Sequence, residues 1–143
     1  MHYRGRFRGT ARSMRSARRA IVDYAAACGF AKMDLSDIET AVGEALANAV
    51  EHGNRFCGYI GVSCDFGDDA LTVEIRDQGP GFRFGAVPEE ERGDALGSAR
   101  GFGISIMHRL MDEVHFVCGG KHVVRLTKRL EPGAAGALQE GSA

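Results

Sequence analysis

The sequence predicts an α+β fold, a two-layer α/β sandwich whose mainly antiparallel mixed sheet carries about three helices on one face. Three observations predict it. Two segments with helical spacing of apolar residues lie before most of the strand-like segments. Those strand-like segments come in pairs joined by short glycine or aspartate turns. A long stretch rich in glycine, proline and charge, Gln78 to Arg100, then separates the first strand pair from a third helix. Helices and strands that are partly segregated along a chain favour this architecture over a doubly wound parallel sheet. The 143 residues amount to about one domain. An apolar share of 44% closes one core but not two.

Tyr3 to Arg8 alternates weakly and predicts an edge strand. Ser13 is the expected cap of the first helix. After it Met14, Ala17, Ile21, Tyr24, Ala25 and Cys28 recur at helical spacing, and Gly29 ends the run. The second helix is expected from Ser36, with Glu39 three residues on as a capping box, to His52, stopping at Gly53-Asn54. Tyr59 to Phe66 and Ala70 to Asp77 read as strands around a Gly67-Asp68-Asp69 turn. The stretch from Gln78 to Arg100 is too long for a plain connector and has the character of a lid or binding loop. A third helix starts near Gly103 and runs through Ile106, Leu110 and Met111. Glu113 to Cys118 and Lys121 to Leu130 form a last hairpin around Gly119-Gly120. The domain is expected over residues 1–130, with 131–143 a disordered tail of small and polar residues.

A charged fraction of 26% and a net charge of -1 describe an ordinary soluble chain, and the expected compartment is cytoplasmic. No apolar run approaches the roughly 20 residues that span a bilayer, and the N-terminus carries charge where a secretory signal has its apolar centre. The charge is uneven, with Arg4, Arg6, Arg8, Arg12, Arg15, Arg18 and Arg19 all preceding the first acidic residue, Asp23. This is either a solvated basic face or a docking surface for an acidic partner. Direct nucleic-acid binding is the weaker option, since Tyr3 and Phe7 are the only aromatics of the arm and no recognition motif follows. Cys28, Cys57, Cys64 and Cys118 form no C-x-x-C pair and are expected as free, buried or half-buried thiols. His52, Cys57 and Cys64 match no zinc spacing.

Three short patterns can carry chemistry. On the second helix Glu44, Asn48 and His52 are spaced by four and stack on one stripe. A carboxamide oxygen suits a hard cation and a neighbouring carboxylate can take a proton, although such a stripe is also the ordinary polar edge of an amphipathic helix. Asp77-Gln78-Gly79-Pro80-Gly81 follows a strand, where the aspartate can accept from an amino group and the glycines let a planar ligand approach, or simply turn the chain. Arg100-Gly101-Phe102-Gly103 opens a helix, whose free amides attract phosphate. The usual phosphate loop of NTPases is absent.

Taken together, E-x-x-x-N-x-x-x-H on a helix, D-x-G-x-G after a strand, a long loop and G-x-G opening a helix resemble the ATPase superfamily shared by gyrase, the 90-kilodalton heat-shock chaperones, histidine kinases and MutL. The resemblance covers about residues 10–130. Gly101 to Val114, ending in Leu110-Met111-Asp112-Glu113-Val114, is similar to the second glycine box of the RsbW and SpoIIAB anti-sigma kinases. The fold implied is the Bergerat, or GHKL, ATP-binding fold.

The resemblance implies ATP or ADP as ligand, with Mg2+ held by Asn48. Glu44 would be the general base, Asp77 the adenine ligand, and Gly79, Gly81, Gly101 and Gly103 the shapers of pocket and lid, with His52 in support. Ser98 and Arg100 are candidates for phosphate contact. Gly43 departs from the pattern, since relatives often carry serine there, and the acidic lid from Glu89 to Asp94 matches no relative residue by residue.

The implied function is serine/threonine kinase activity of the anti-sigma type. It would phosphorylate a small STAS-type anti-anti-sigma protein and sequester a sigma factor, as a homodimer. Charge alone, not the resemblance, makes Arg12, Arg15, Arg18 and Arg19 the candidate protein-binding face. The alternative is a nucleotide-binding switch with little or no phosphoryl transfer. A complete histidine kinase is not expected, because the nucleotide domain fills the chain.

Overall fold

A computed structural model of the chain describes residues 2–53, 58–77, 101–118 and 122–131. Their order is β1 (His2–Arg8), α1 (Ala11–Cys28), α2 (Lys32–Gly53), β2 (Tyr59–Gly67), β3 (Ala70–Asp77), α3 (Gly101–Leu110), β4 (Glu113–Cys118) and β5 (His122–Arg129). The strands form one sheet in the order β1-β2-β3-β5-β4, and all four neighbouring pairs are antiparallel. α1 packs on β1 and β2, α2 on β3 and β5, and α3 on α2 and β4. No helix among the described residues is long and apolar enough to cross a membrane.

Period-two alternation builds the layers. Along β3, Leu71, Val73, Ile75 and Asp77 are buried while Ala70, Thr72, Glu74 and Arg76 are half-exposed. The buried set meets Ala17 and Ile21 of α1, Ile38, Val42 and Leu46 of α2, and Met107 of α3 in one core. The opposite face is wet. There Glu74 lies between Arg76 at 3.1 Å and Arg125 at 3.4 Å, and Arg6 covers the Tyr59 ring at 4.2 Å. Such exposed pairs add little stability. The β2–β3 hairpin turns on Asp68 and Asp69, both with positive φ, which is the two-residue turn whose twist suits antiparallel strands.

Two helix starts differ from expectation. α1 is capped by Thr10, whose hydroxyl accepts from Ser13 N at 3.1 Å, so Ser13 is the capped residue and not the cap. α2 begins at Lys32, and Ser36 lies inside it with its carbonyl accepting from Thr40 Oγ1 at 3.0 Å. No Ser36–Glu39 capping box therefore forms. The start of α2 is fixed by tertiary contact. Lys128 Nζ donates to Leu110 O at 2.6 Å, at the C-terminus of α3, and lies 3.8 Å from Asp37 and 4.0 Å from Asp34.

Cys64 is buried and Cys28 half-buried, and both are free. Cys57 and the Cys118 side chain lie outside the described residues. Burial, with smaller contributions from Asp65 and Cys28, pushes the Cys64 thiol up to about 12. Burial likewise raises Cys28, Tyr3 and Tyr24.

These shifts all have one sign. The unfolded chain releases these protons first, so stability is complete below the ordinary thiol value of 9.0 and falls as pH rises from there toward 12. Denaturant midpoints are expected to hold from pH 7 to 8.5 and drop above 9, by at most about 1.4 kcal/mol per pH unit for each such proton. Cys64→Val flattens that drop. An unchanged slope in this variant refutes the assignment.

Candidate functional site

α2 carries the polar stripe along the edge of its buried face. Ala41, Val42, Ala45 and Leu46 are buried, while Glu44 and Asn48 are half-exposed one turn apart. Among the described residues neither Glu44 nor Asn48 has a hydrogen-bond or ion-pair partner. His52 lies on the same helix, and its side chain is outside the described residues. The carboxylate of Glu44 lies against the first turn of α3, where a Cβ on Gly103 would come within 2.7 Å of Glu44 Oε2. α3 begins at Gly101 rather than at Gly103, so both glycines of the G-x-G belong to its first turn.

Asp77 ends β3 on the helix-covered face and is 2% exposed. Lys128 pairs with Leu71 across β3 and β5 and reaches Asp37, so the start of α2 lies over the start of β3. Further along α2, α3 presents its first turn to Glu44. Gly79, Gly81, Ser98, Arg100 and the acidic lid segment lie outside the described residues.

Among the described residues no group of three or more His, Cys, Asp or Glu side chains is set to hold a metal. A lone carboxamide such as Asn48 is nevertheless an adequate protein ligand for Mg2+, which keeps waters and takes its other oxygens from nucleotide phosphates.

Residues 7–128 match the histidine kinase-like ATPase domain family. The chain belongs to that family. This histidine kinase-like ATPase domain is 36% identical over 112 residues to the serine-protein kinase RsbW of Bacillus licheniformis, an alignment covering 71% of this chain and 69% of the relative. It is 31% identical over 124 residues to the anti-sigma F factor of a Thermoanaerobacter species, covering 78% of this chain and 82% of that one. These relatives place it in the RsbW and SpoIIAB-like branch.

The crystal structure of the RsbU and RsbW domains of a Mycobacterium tuberculosis protein superposes with a TM-score of 0.68 at 23% identity. The match covers 91% of this chain but 32% of that longer one, and it supports the fold. As a histidine kinase-like ATPase domain, the chain binds ATP or ADP.

Two features were not read from the sequence. One is the steric fit of Gly103 to Glu44. The other is the α1–α2 surface, where a cleft of about 310 Å3 is lined by Met14, Leu46 and Val50 together with Arg15, Arg18 and Glu51. Arg18 lies across α2 at Gly43, where a Cβ would meet Arg18 Nη1 at 3.4 Å. The glycine at position 43 was visible as a departure from the family pattern, but its neighbour on α1 was not.

Proposed function

We propose that the chain is an ATP-dependent serine/threonine kinase of the anti-sigma type that phosphorylates a small STAS-type anti-anti-sigma protein and sequesters a sigma factor. The observation that carries this reading is the Glu44 carboxylate, half-buried and without a partner among the described residues, seated between the α2 stripe and the first turn of α3. A domain that only bound nucleotide has no use for a proton acceptor there.

In this reading Glu44 takes the proton of the substrate hydroxyl as its oxygen forms the new bond to the γ-phosphorus. The bond from that phosphorus to the β,γ-bridging oxygen breaks, and its electron pair leaves on ADP. Asn48 holds Mg2+, which when bound neutralises charge on the transferring phosphate. Asp77 accepts from the adenine amino group, and the amides of α3 from Gly101 onward face the phosphates. Gly79, Gly81 and Arg100, which lie outside the described residues, are the further candidates for nucleotide contact. Catalysis is mostly positioning and charge neutralisation, as in other phosphoryl transfers.

Partner proteins dock through α1. Arg12, Arg15 and Arg19 are exposed, and Arg18 is half-buried with no ion pair among the described residues. Arg15 and Arg18 line the apolar cleft beside Met14 and Val50, with Glu51 as its one acidic lining residue among those described, and the excess of positive charge suits an acidic surface bearing an apolar anchor. Reversing charge at Arg15 and Arg18 together is expected to weaken antagonist binding about tenfold or more while leaving ADP affinity unchanged. Equal antagonist affinity in the double variant removes α1 from the interface. The chain acts as a homodimer, which sedimentation reads directly.

The decisive experiment incubates the protein with γ-labelled ATP, Mg2+ and candidate small STAS-type proteins from the same genome. Label on a serine or threonine is the expected result. Nucleotide binding with no transfer to any of them leaves a regulatory switch instead.

A further inference from the structure

We infer that Gly103 is a positioning residue for phosphoryl transfer: its bare Cα leaves the slot that holds the Glu44 carboxylate, so that α3 aims the base carried by α2. This rests on the reading of Glu44 as general base.

The glycine is not required by backbone conformation. Among the described residues Gly29 is the glycine with positive φ, whereas Gly103 lies within α3. A glycine in a helix interior costs about 0.5–1 kcal/mol relative to alanine, with that as the upper bound in a first turn, so helix formation gives no reason for a glycine there. The contact supplies the reason. A Cβ at Gly103 would lie 2.7 Å from Glu44 Oε2, 3.6 Å from its Cδ and 3.9 Å from its Cβ. Among the described residues, and apart from α3's own backbone and the two chain neighbours, the three nearest atoms to that point all belong to Glu44, so this one side chain occupies the space beside the missing methyl.

α3 cannot simply back away. Gly103 itself is buried, Met107 on the same helix is 0% exposed in the core, and Lys128 holds the C-terminus of α3 through Leu110 O. An added methyl therefore displaces the carboxylate, which is the free end of a flexible chain and moves at little cost in stability. Folding and nucleotide seating survive, while the aim of the proton acceptor does not. Misplacing a reacting group by about 1 Å can cost on the order of a hundredfold in rate.

The test is a double-mutant cycle on the full chain, Gly103→Ala against Glu44→Ala. It is read by steady-state transfer to the antagonist, ADP affinity by calorimetry, and the thermal midpoint. Gly103→Ala is expected to keep ADP affinity and KM for ATP within about threefold and to lower kcat at least about tenfold. In the Glu44→Ala background it causes no further loss. Equal loss in both backgrounds, or a fall in ADP affinity that matches the fall in rate, makes Gly103 a nucleotide contact and overturns the inference.

Absence of transfer by the unsubstituted chain would defeat the kinase reading and leave the contact to be judged by stability. Gly103→Ala then raises Tm by about 2–4 °C in the Glu44→Ala background, where only helix propensity acts, and by less or not at all with Glu44 present. Equal shifts in both backgrounds overturn the inference.

Discussion

Glu44→Ala is expected to lower phosphoryl transfer by about 10²–10⁴-fold, the usual contribution of a positioned general base, with ADP affinity changed by no more than a few-fold. The loss belongs to kcat, because the interaction removed is made with a proton that moves only in the transition state. It does not arise from unfolding. Glu44 is half-exposed and has no partner among the described residues, so its truncation breaks no hydrogen bond or ion pair. Alanine is also the better helix former.

Glu44→Gln sharpens the result. The carboxamide fills the same slot beside Gly103 but cannot take a proton, and it is expected to lose as much activity as alanine. A glutamine variant that retains transfer would mean that Glu44 acts by shape or hydrogen bonding and that the proton goes elsewhere.

The fold was legible wherever local chemistry decides it. β3 alternates cleanly between core and solvent, and its antiparallel partner β2 is set by a turn whose two aspartates tolerate positive φ. Gly29, at the C-terminus of α1, adopts the left-handed conformation that its identity suggests. What was missed depends on residues far apart in sequence. The first turn of α2 carries Met33, which is 82% exposed, so no apolar periodicity marks it. That turn is held from β5 by Lys128, a partner no local window contains. Thr10 precedes a first turn of Ala11, Arg12 and Ser13 that is equally poor in apolar signal, and Ser13 is the more conspicuous cap by type.

The candidate site shows the same division. The spacing of Glu44 and Asn48 predicts one stripe of one helix, and they lie there. That Gly103 abuts Glu44 could be found only by packing α3 on α2. The Leu110 to Val114 segment, recognisable by resemblance alone, acquires a physical account as well. Asp112 Oδ2 accepts from Arg129 N at 2.6 Å and its own amide donates to Thr127 O at 2.9 Å. Together with the Lys128 bond to Leu110, this clamps the end of α3 to β5 and fixes the helix whose other end meets Glu44.

Asp77 supplies the second large effect, on specificity rather than rate. In the proposed seat its carboxylate accepts from the exocyclic amino group of adenine, where guanine presents a carbonyl oxygen. Two oxygens, one of them charged, then face each other without a proton, inside a site where Asp77 is 2% exposed. Burial makes that mismatch expensive, since a hydrogen bond to a charged group is worth about 1.5–3 kcal/mol and its unsatisfied counterpart costs at least as much.

Asp77→Asn keeps the volume, adds donors and removes the charge. ATP affinity is expected to fall about 10–100-fold while GTP affinity holds or rises, because the carboxamide can donate to the guanine oxygen. A purely structural aspartate behaves differently. Its replacement lowers the denaturation midpoint and weakens both nucleotides alike, leaving their ratio where it was. Competition binding with the two triphosphates, on a variant whose nucleotide-free stability is measured in parallel, separates the cases. A ratio that does not move in a folded Asp77→Asn protein would take the adenine away from the end of β3.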